Sequence, residues 1–192
     1  SVSCDAQQLK PRSLMPAQPA SSNFSSLIGS GLMLAGLIRD ADACAAVGAA
    51  LCPAQGGLVI FLHGELGAGK STLARGLLRQ LGVEGSIRSP TYTLLEHYEV
   101  GARAAVHLDL YRIADASELE YLGVRDLGHD QEIWLVEWAE RAKRGLPEPD
   151  LEIFLEHAEL GRRIQIRVCS QRVDSRLPNA RAALEAIMKN SV

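Results

Sequence analysis

LVIFLHGELGAGKST, Leu58 to Thr72, passes from an apolar run into glycines and ends on one lysine and two hydroxyls. The pattern predicts a buried strand over Leu58 to Leu62, a tight loop and the first turn of a helix. Gly64, Gly69, Lys70 and Ser71 fit G-x-x-x-x-G-K-[ST], and Gly67 and Ala68 keep the loop small enough for its backbone NH groups to face a phosphate. Glycines reach angles that a Cβ forbids, while the helix starting near Lys70 aims its positive dipole end at the same place. In this pattern Lys70 supplies a mobile charge to the β- and γ-phosphates, Ser71 a hydroxyl for magnesium, and Thr72 a contact to the α-phosphate. The competing reading is a chance match in a glycine-rich loop. Against it, Leu73, Leu77, Leu78 and Leu81 follow at helical spacing, so the motif lies between a strand and a helix, as its chemistry requires. The loop residues Glu65, Leu66, Gly67, Ala68 and Gly69, with Lys70, Ser71 and Thr72, form the expected nucleotide-binding set. No N-K-x-D base-reading motif is present, which favours ATP over GTP.

The 192 residues are 47% hydrophobic and 22% charged, a balance that suits one globular domain with a real core. A net charge of -3 and a pI near 6.0 argue against a broad electrostatic grip on nucleic acid, so any RNA link is expected to run through a partner. Cys4, Cys44, Cys52 and Cys169 lie far apart, with no C-x-x-C pair, and read as reduced thiols of a cytoplasmic protein. Lys70 is one of only four lysines, the others being Lys10, Lys143 and Lys189, so a lysine inside the glycine loop is less easily an accident.

Residues 1–30 are rich in Ser, Pro, Ala and Gln without an apolar period, and read as a loose tail or extension; residues 31–192 read as a single ATPase domain. Met15 and Met33 are the candidate start residues. Leu27 to Ile38 has the length of a signal-peptide core but is too short to span a bilayer. The alternative is a first strand over Met33 to Ile38, then a helix capped by Asp40 that packs Ala46, Val47 and Leu51 inward and ends at Pro53 to Gly57.

Downstream, Pro90 breaks any helix and Thr91, Tyr92 and Thr93 suit an extended segment. Thr91 is either a β-propensity residue or a switch-type threonine that senses the γ-phosphate and magnesium. Arg103 to Tyr111 predicts a strand, and its far end places Asp109 where parallel sheets open toward ligands; a solvated Asp at a strand end is the alternative. His107 shares the parity of Asp109 and could orient it, although a structural histidine is the more economical reading. Ser117 to Glu120 resembles a capping box. Ile133 to Trp138, IWLVEW, carries four apolar residues into Glu137, a second acidic strand end suited to hold magnesium through water or to polarise an attacking water. Trp138 is either core or a ring stacked near the nucleotide or a partner. Arg141, Lys143 and Arg144 are a solvated basic face or a lid over phosphate. Leu151 to His157 and Arg162 to Val168 predict a hairpin that extends the sheet in antiparallel fashion, and Ala180 to Met188 a short amphipathic helix.

With GELGAGKST at 64–72, SPTYTL at 89–94, HLDLYR at 107–112, ELEYLGVRD at 118–126 and LVEW at 135–138, the chain resembles the bacterial TsaE (YjeE) family. The likeness covers about Gly56 to Val168. It implies a P-loop NTPase fold, α/β, with a mainly parallel sheet flanked by helices and an antiparallel hairpin near the C-terminus. It further implies an ATPase, weak alone and using ATP and Mg2+. Its role would be to support threonylcarbamoylation of the adenosine beside the tRNA anticodon, together with a TsaD-type transferase and a TsaB-type partner, without a membrane. Carried over by position, Lys70 and Ser71 fall on the phosphate and magnesium positions, Asp109 and Glu137 on an acidic pair that acts in catalysis and metal binding, Thr91 on the switch-like loop, and Trp138 on the aromatic after the acid. Ser71 stands for a frequent threonine and Glu65 for an aspartate, neither of which changes the chemistry. A small-molecule kinase and a nucleotide-switched binding module are the alternatives, and Arg112 and Arg125 are the candidate arginine fingers.

Overall fold

The structure, a computed structural model, describes residues 31–190 apart from 115–117, 122, 125, 126, 129, 143 and 144. The capping box at Ser117, the finger candidate Arg125, the basic pair Lys143 and Arg144, and the N-terminal tail lie outside the described residues. Strands β1 (Leu32–Ile38), β2 (Leu58–His63), β3 (Leu95–Val100), β4 (Arg103–Asp109), β5 (Ile133–Glu137), β6 (Leu151–Ala158) and β7 (Gly161–Val168) join one sheet in the order β1-β7-β6-β2-β5-β4-β3. Helices α1 (Ala41–Ala50), α2 (Lys70–Leu81), α3 (Glu118–Tyr121), α4 (Arg172–Arg176) and α5 (Ala180–Asn190) complete the fold.

The expectation of a mainly parallel sheet needs correction. Only the central ladders β2/β5, β2/β6 and β4/β5 are parallel, whereas β1/β7, β6/β7 and β3/β4 are antiparallel. The reason lies in the connections: β3 and β4 are joined by a tight turn at Gly101 (φ 60°), as are β6 and β7 by the turn before Gly161, and a tight turn can join only antiparallel neighbours. Nor does the C-terminal hairpin extend the sheet in purely antiparallel fashion, since β6 joins β2 in parallel and only β7 runs antiparallel to its neighbours β6 and β1. The hairpin is inserted between β2 and β1, and the N-terminal strand closes that side of the sheet. Thr91 to Thr93, read as extended, form a turn held by the Leu94 NH on the Pro90 carbonyl (2.7 Å).

Alternation along the strands builds two cores. Leu58, Ile60 and Leu62 of β2 join Ile133, Leu135, Ile153 and Ile164 beneath α1, α2 and α5, while Val59, Val106, Leu108, Trp134 and Val136 face Leu110, Ile113, Leu119 and Val124 on the other side. Each fully buried Leu, Ile or Val contributes about 1.5–3 kcal/mol relative to exposure, so the apolar run of β2 anchors the sheet from both faces. Helix α1 begins where Asp40 accepts a hydrogen bond from the Ala43 NH at 2.7 Å.

Helices α1 and α2 touch backbone to backbone. A Cβ on Gly48 would stand 2.0 Å from the Leu73 carbonyl oxygen, and one on Gly76 would stand 2.0 Å from that of Ala45. Alanine gains about 1 kcal/mol in helix propensity over glycine, but a clash with main chain cannot be relieved by a side-chain rotation. Gly76→Ala is therefore expected to lose a net of about 1–3 kcal/mol in urea unfolding. Gly128→Ala, where nothing stands within 4 Å, is the control and is expected to be nearly neutral.

Candidate functional site

The loop that follows β2 has its shape imposed by neighbours. Gly64 (φ 143°) lies against β6, where a Cβ would meet the Leu155 carbonyl at 2.3 Å, and Gly69 (φ 111°) caps α2 in the left-handed region. The first turn of α2 closes onto Gly69, whose carbonyl accepts from the NH groups of Thr72 and Leu73, both at 3.0 Å. Lys70 is buried, with 4% exposure. Its Nζ donates to the carbonyls of Gly64 (2.7 Å) and Glu65 (2.8 Å) and stands 4.5 Å from the centroid of the Trp138 ring. Burial pushes the Lys70 pKa down, and the carboxylates of Glu137, Asp109 and Glu140 pull it partly back.

The acidic residues arrive by strand parity. Asp109 ends β4 and Glu137 ends β5, the two are paired in register, and Glu137 also pairs with Leu62 of β2. Ala105, Ile133 and Leu135 share their face, the one that carries α2, so both carboxylates emerge beside the loop at the carboxyl ends of parallel strands. Both are buried, Asp109 at 5% and Glu137 at 2% exposure.

Hydroxyls link the two acids. Ser71 Oγ donates to Glu137 Oε1 (2.9 Å), Thr91 Oγ1 donates to Asp109 Oδ2 (2.9 Å), and Ser89 Oγ lies 2.9 Å from the Thr91 hydroxyl and 3.4 Å from that of Ser71. His107 does not orient Asp109. Its Nε2 lies 2.9 Å from Glu137 Oε1 and donates to it, leaving a buried Nδ1 without a partner. Asp109 is instead braced by the Tyr111 NH on its other oxygen at 3.1 Å.

One cleft of about 250 Å3 gathers most of the expected residues: Leu66, Gly67, Gly69, Lys70, Ser71, Thr72, Thr91, Asp109, Glu137 and Trp138 all line it. Ala68 does not, being buried in the core, and Glu65 takes part through its carbonyl while the residue itself is exposed. Tyr111 and Arg162 are additions to the lining, and Ser89 joins the site through its hydroxyl contacts with Thr91 and Ser71. Tyr111 packs its ring 5.1 Å from Trp138, at an interplanar angle of 54°. Arg112, a finger candidate, lies over the exposed Tyr92 ring at 4.5 Å and does not line the cleft. Ser89 had a faint signal, a hydroxyl two positions before Thr91; Tyr111 and Arg162 had none, because only the folded chain brings them there.

The donor set matches a hard divalent cation. Ser71, Glu137 and Asp109 offer oxygens only, and among the described residues no group of three or more His, Cys, Asp or Glu forms a closed metal cage. Magnesium typically takes one or two carboxylates and completes its octahedron with water and phosphate oxygens, which this arrangement fits. Cys44 of α1 donates its thiol to the Gly69 carbonyl at 3.5 Å, and burial raises its pKa to about 11, so the group beside the loop is neutral. Cys44, Cys52 and Cys169 are free thiols. Among the described residues no helix is long and apolar enough to cross a membrane.

A strand, a glycine loop and a helix around a buried lysine, with two acids at the ends of neighbouring parallel strands, define a P-loop-like α/β protein. Residues 38–164 match the family described as "Threonylcarbamoyl adenosine biosynthesis protein TsaE", and the chain belongs to that family. It is 42% identical over 109 residues to the tRNA threonylcarbamoyladenosine biosynthesis protein TsaE of Haemophilus influenzae, a match spanning 57% of this chain and 69% of that protein. It is 39% identical over 105 residues to the protein of the same description from Bacillus subtilis, spanning 55% of this chain and 65% of the relative. The crystal structure of Bacillus subtilis YdiB is similar with a TM-score of 0.59 and 26% identity, over 83% of this chain and 96% of that one.

Proposed function

We propose that the protein is a magnesium-dependent ATPase that supports formation of threonylcarbamoyladenosine in tRNA. The observation that carries this reading is the hydrogen bond of the Ser71 hydroxyl to Glu137 at 2.9 Å, directly below the loop that holds Lys70. A hydroxyl at the second position of the helix facing a strand-end carboxylate is the pairing that P-loop NTPases use to hold the ion. The backbone NH groups of the loop and the Lys70 ammonium bind the phosphates, and Thr72 reaches the α-phosphate.

Magnesium, when bound, neutralises charge on the β- and γ-phosphate oxygens. Ser71, Glu137 and Asp109 would hold it, directly or through water. Glu137 is oriented by His107, so one carboxylate oxygen is fixed and the group can polarise the attacking water. Thr91, tethered to Asp109, sits in a turn able to respond to the γ-phosphate. The Trp138 ring lies against Lys70 and keeps water from that side of the ammonium. The free chain is slow in this reading, because its candidate finger Arg112 is engaged with Tyr92. Activity then depends on a TsaD-type transferase and a TsaB-type partner, which bring the tRNA, in the cytoplasm.

The test is reconstitution. The protein, both partners, tRNA and ATP are expected to give many rounds of modification per complex, with phosphate released to water. Equal multi-turnover yield when this protein is omitted would contradict the proposal, and phosphate appearing on a metabolite would favour a kinase.

A further inference from the structure

We propose that Arg162 of β7 is an in-cis phosphate clamp, binding the α- and β-phosphate side of the nucleotide from the flank opposite the two carboxylates. The role rests on the nucleotide reading above and deepens it.

The position is built with care. Gly161 (φ 130°) starts β7 where a Cβ would stand 2.3 Å from the Ile38 carbonyl, so the strand begins flush against the end of β1. Arg162 is then fixed by pairing with Ile38 on one side and His157 on the other. From there its side chain reaches across to the glycine loop: a Cβ on Gly69 would lie 3.1 Å from Arg162 Nε and 3.2 Å from its Cδ. The last glycine of the loop therefore does two things, capping α2 and making room for a guanidinium.

Among the described residues the charge of Arg162 has no ion-pair partner. Its Nε is buried and has no hydrogen-bond partner, and no carboxylate stands within ion-pair distance of it among the described residues. Arg172 shows the contrast: it spans Asp150 at 3.0 Å and Asp130 at 2.8 Å, as a structural arginine should. Arg162 has instead a neutral thiol, a glycine and the rim of a cleft. A desolvated donor on a permanent cation is costly unless an anion completes it, and the guanidinium fork is matched to phosphate oxygens.

Topology decides which phosphate. In the order β7-β6-β2-β5-β4, Arg162 comes from the β7 side of the loop strand, while Glu137 and Asp109 come from the β5 and β4 side. A triphosphate seated with its β and γ oxygens toward Ser71 and Glu137, which would hold the magnesium, turns its α and β oxygens to the other flank. Arg162 there holds what ADP and ATP share, which an arginine finger on the γ-phosphate would not do.

Calorimetric titration of the full chain with ADP, with and without magnesium, and with magnesium ATP tests this, using Arg162→Met and Arg162→Lys. Arg162→Met is expected to weaken all three by a similar factor, about ten- to hundred-fold, and Arg162→Lys to recover part of the loss. Turnover at saturating ATP, measured beside these affinities, should fall by a smaller factor than the ADP affinity does. Matching melting curves separate this from misfolding. ADP affinity equal to wild type in Arg162→Met overturns the proposal, and unchanged ADP affinity with a large fall in saturating turnover reassigns Arg162 to the γ-phosphate. A wild-type chain that binds neither nucleotide overturns the nucleotide reading itself, a result distinct from either.

Discussion

Glu137→Gln is expected to lower ATP hydrolysis about 10²- to 10⁴-fold while leaving affinity for magnesium-free ADP within about tenfold of wild type. The substitution keeps the volume and one acceptor oxygen of a side chain that is almost wholly buried, so the sheet has no packing reason to change. What changes is charge and acceptor capacity. The Ser71 hydroxyl and His107 Nε2 both donate to Oε1, a role the amide oxygen can keep, whereas the second oxygen, free to take a metal ion or a proton, becomes an NH2 that donates. The amide also cannot take a proton from water. Steady-state hydrolysis alongside ADP titration separates the two effects, and parallel falls in both would mean that Glu137 serves binding rather than turnover.

Lys70→Met is expected to cost about 100-fold or more in ATP affinity without destabilising the fold. Two effects compete at this residue. Its ammonium ties down the Gly64 and Glu65 carbonyls, which stabilises the loop, but it is also desolvated, and its pKa is pushed down chiefly for that reason. The shift isolates the cost of the charge: the unfolded chain holds the proton more tightly than the folded one, so the charged form costs stability relative to the neutral amine, and this contribution is relieved as pH rises through the folded-state pKa toward the ordinary lysine value. A neutral side chain of similar length removes the cost. Thermal melts near neutral pH should show Lys70→Met as stable as wild type or more so, with the gain shrinking at alkaline pH. A lysine kept at a stability cost is what a phosphate-binding role explains.

The features legible in the sequence were those written in short stretches. The loop declares itself because glycine, lysine and hydroxyl must occur at fixed spacing between a strand and a helix, and Glu137 and Asp109 because each follows an apolar run that ends a strand. Long-range pairing was not legible. Nothing in Leu151 to Val168 says that its hairpin lies between β2 and β1, since the alternation fixes only which face each residue takes. His107 illustrates the same limit within the site: parity put it on the correct face, but its partner is on the neighbouring strand, so it supports Glu137 rather than Asp109. Thr91 sits in a turn because Asp109 must be reached from outside the strand. Gly48 and Gly76 look like weak points in two helices until the helices are seen to touch, and Arg162 looks like one of several exposed strand arginines until the loop is seen beside it.

The most direct measurement is calorimetric titration of ATP into the full chain with and without magnesium. One nucleotide should bind per chain, more tightly with the ion, and Lys70→Met should weaken it by about 100-fold or more. Absence of heat with magnesium ATP at millimolar concentration, or equal binding by wild type and Lys70→Met, would contradict a cleft built to hold a triphosphate.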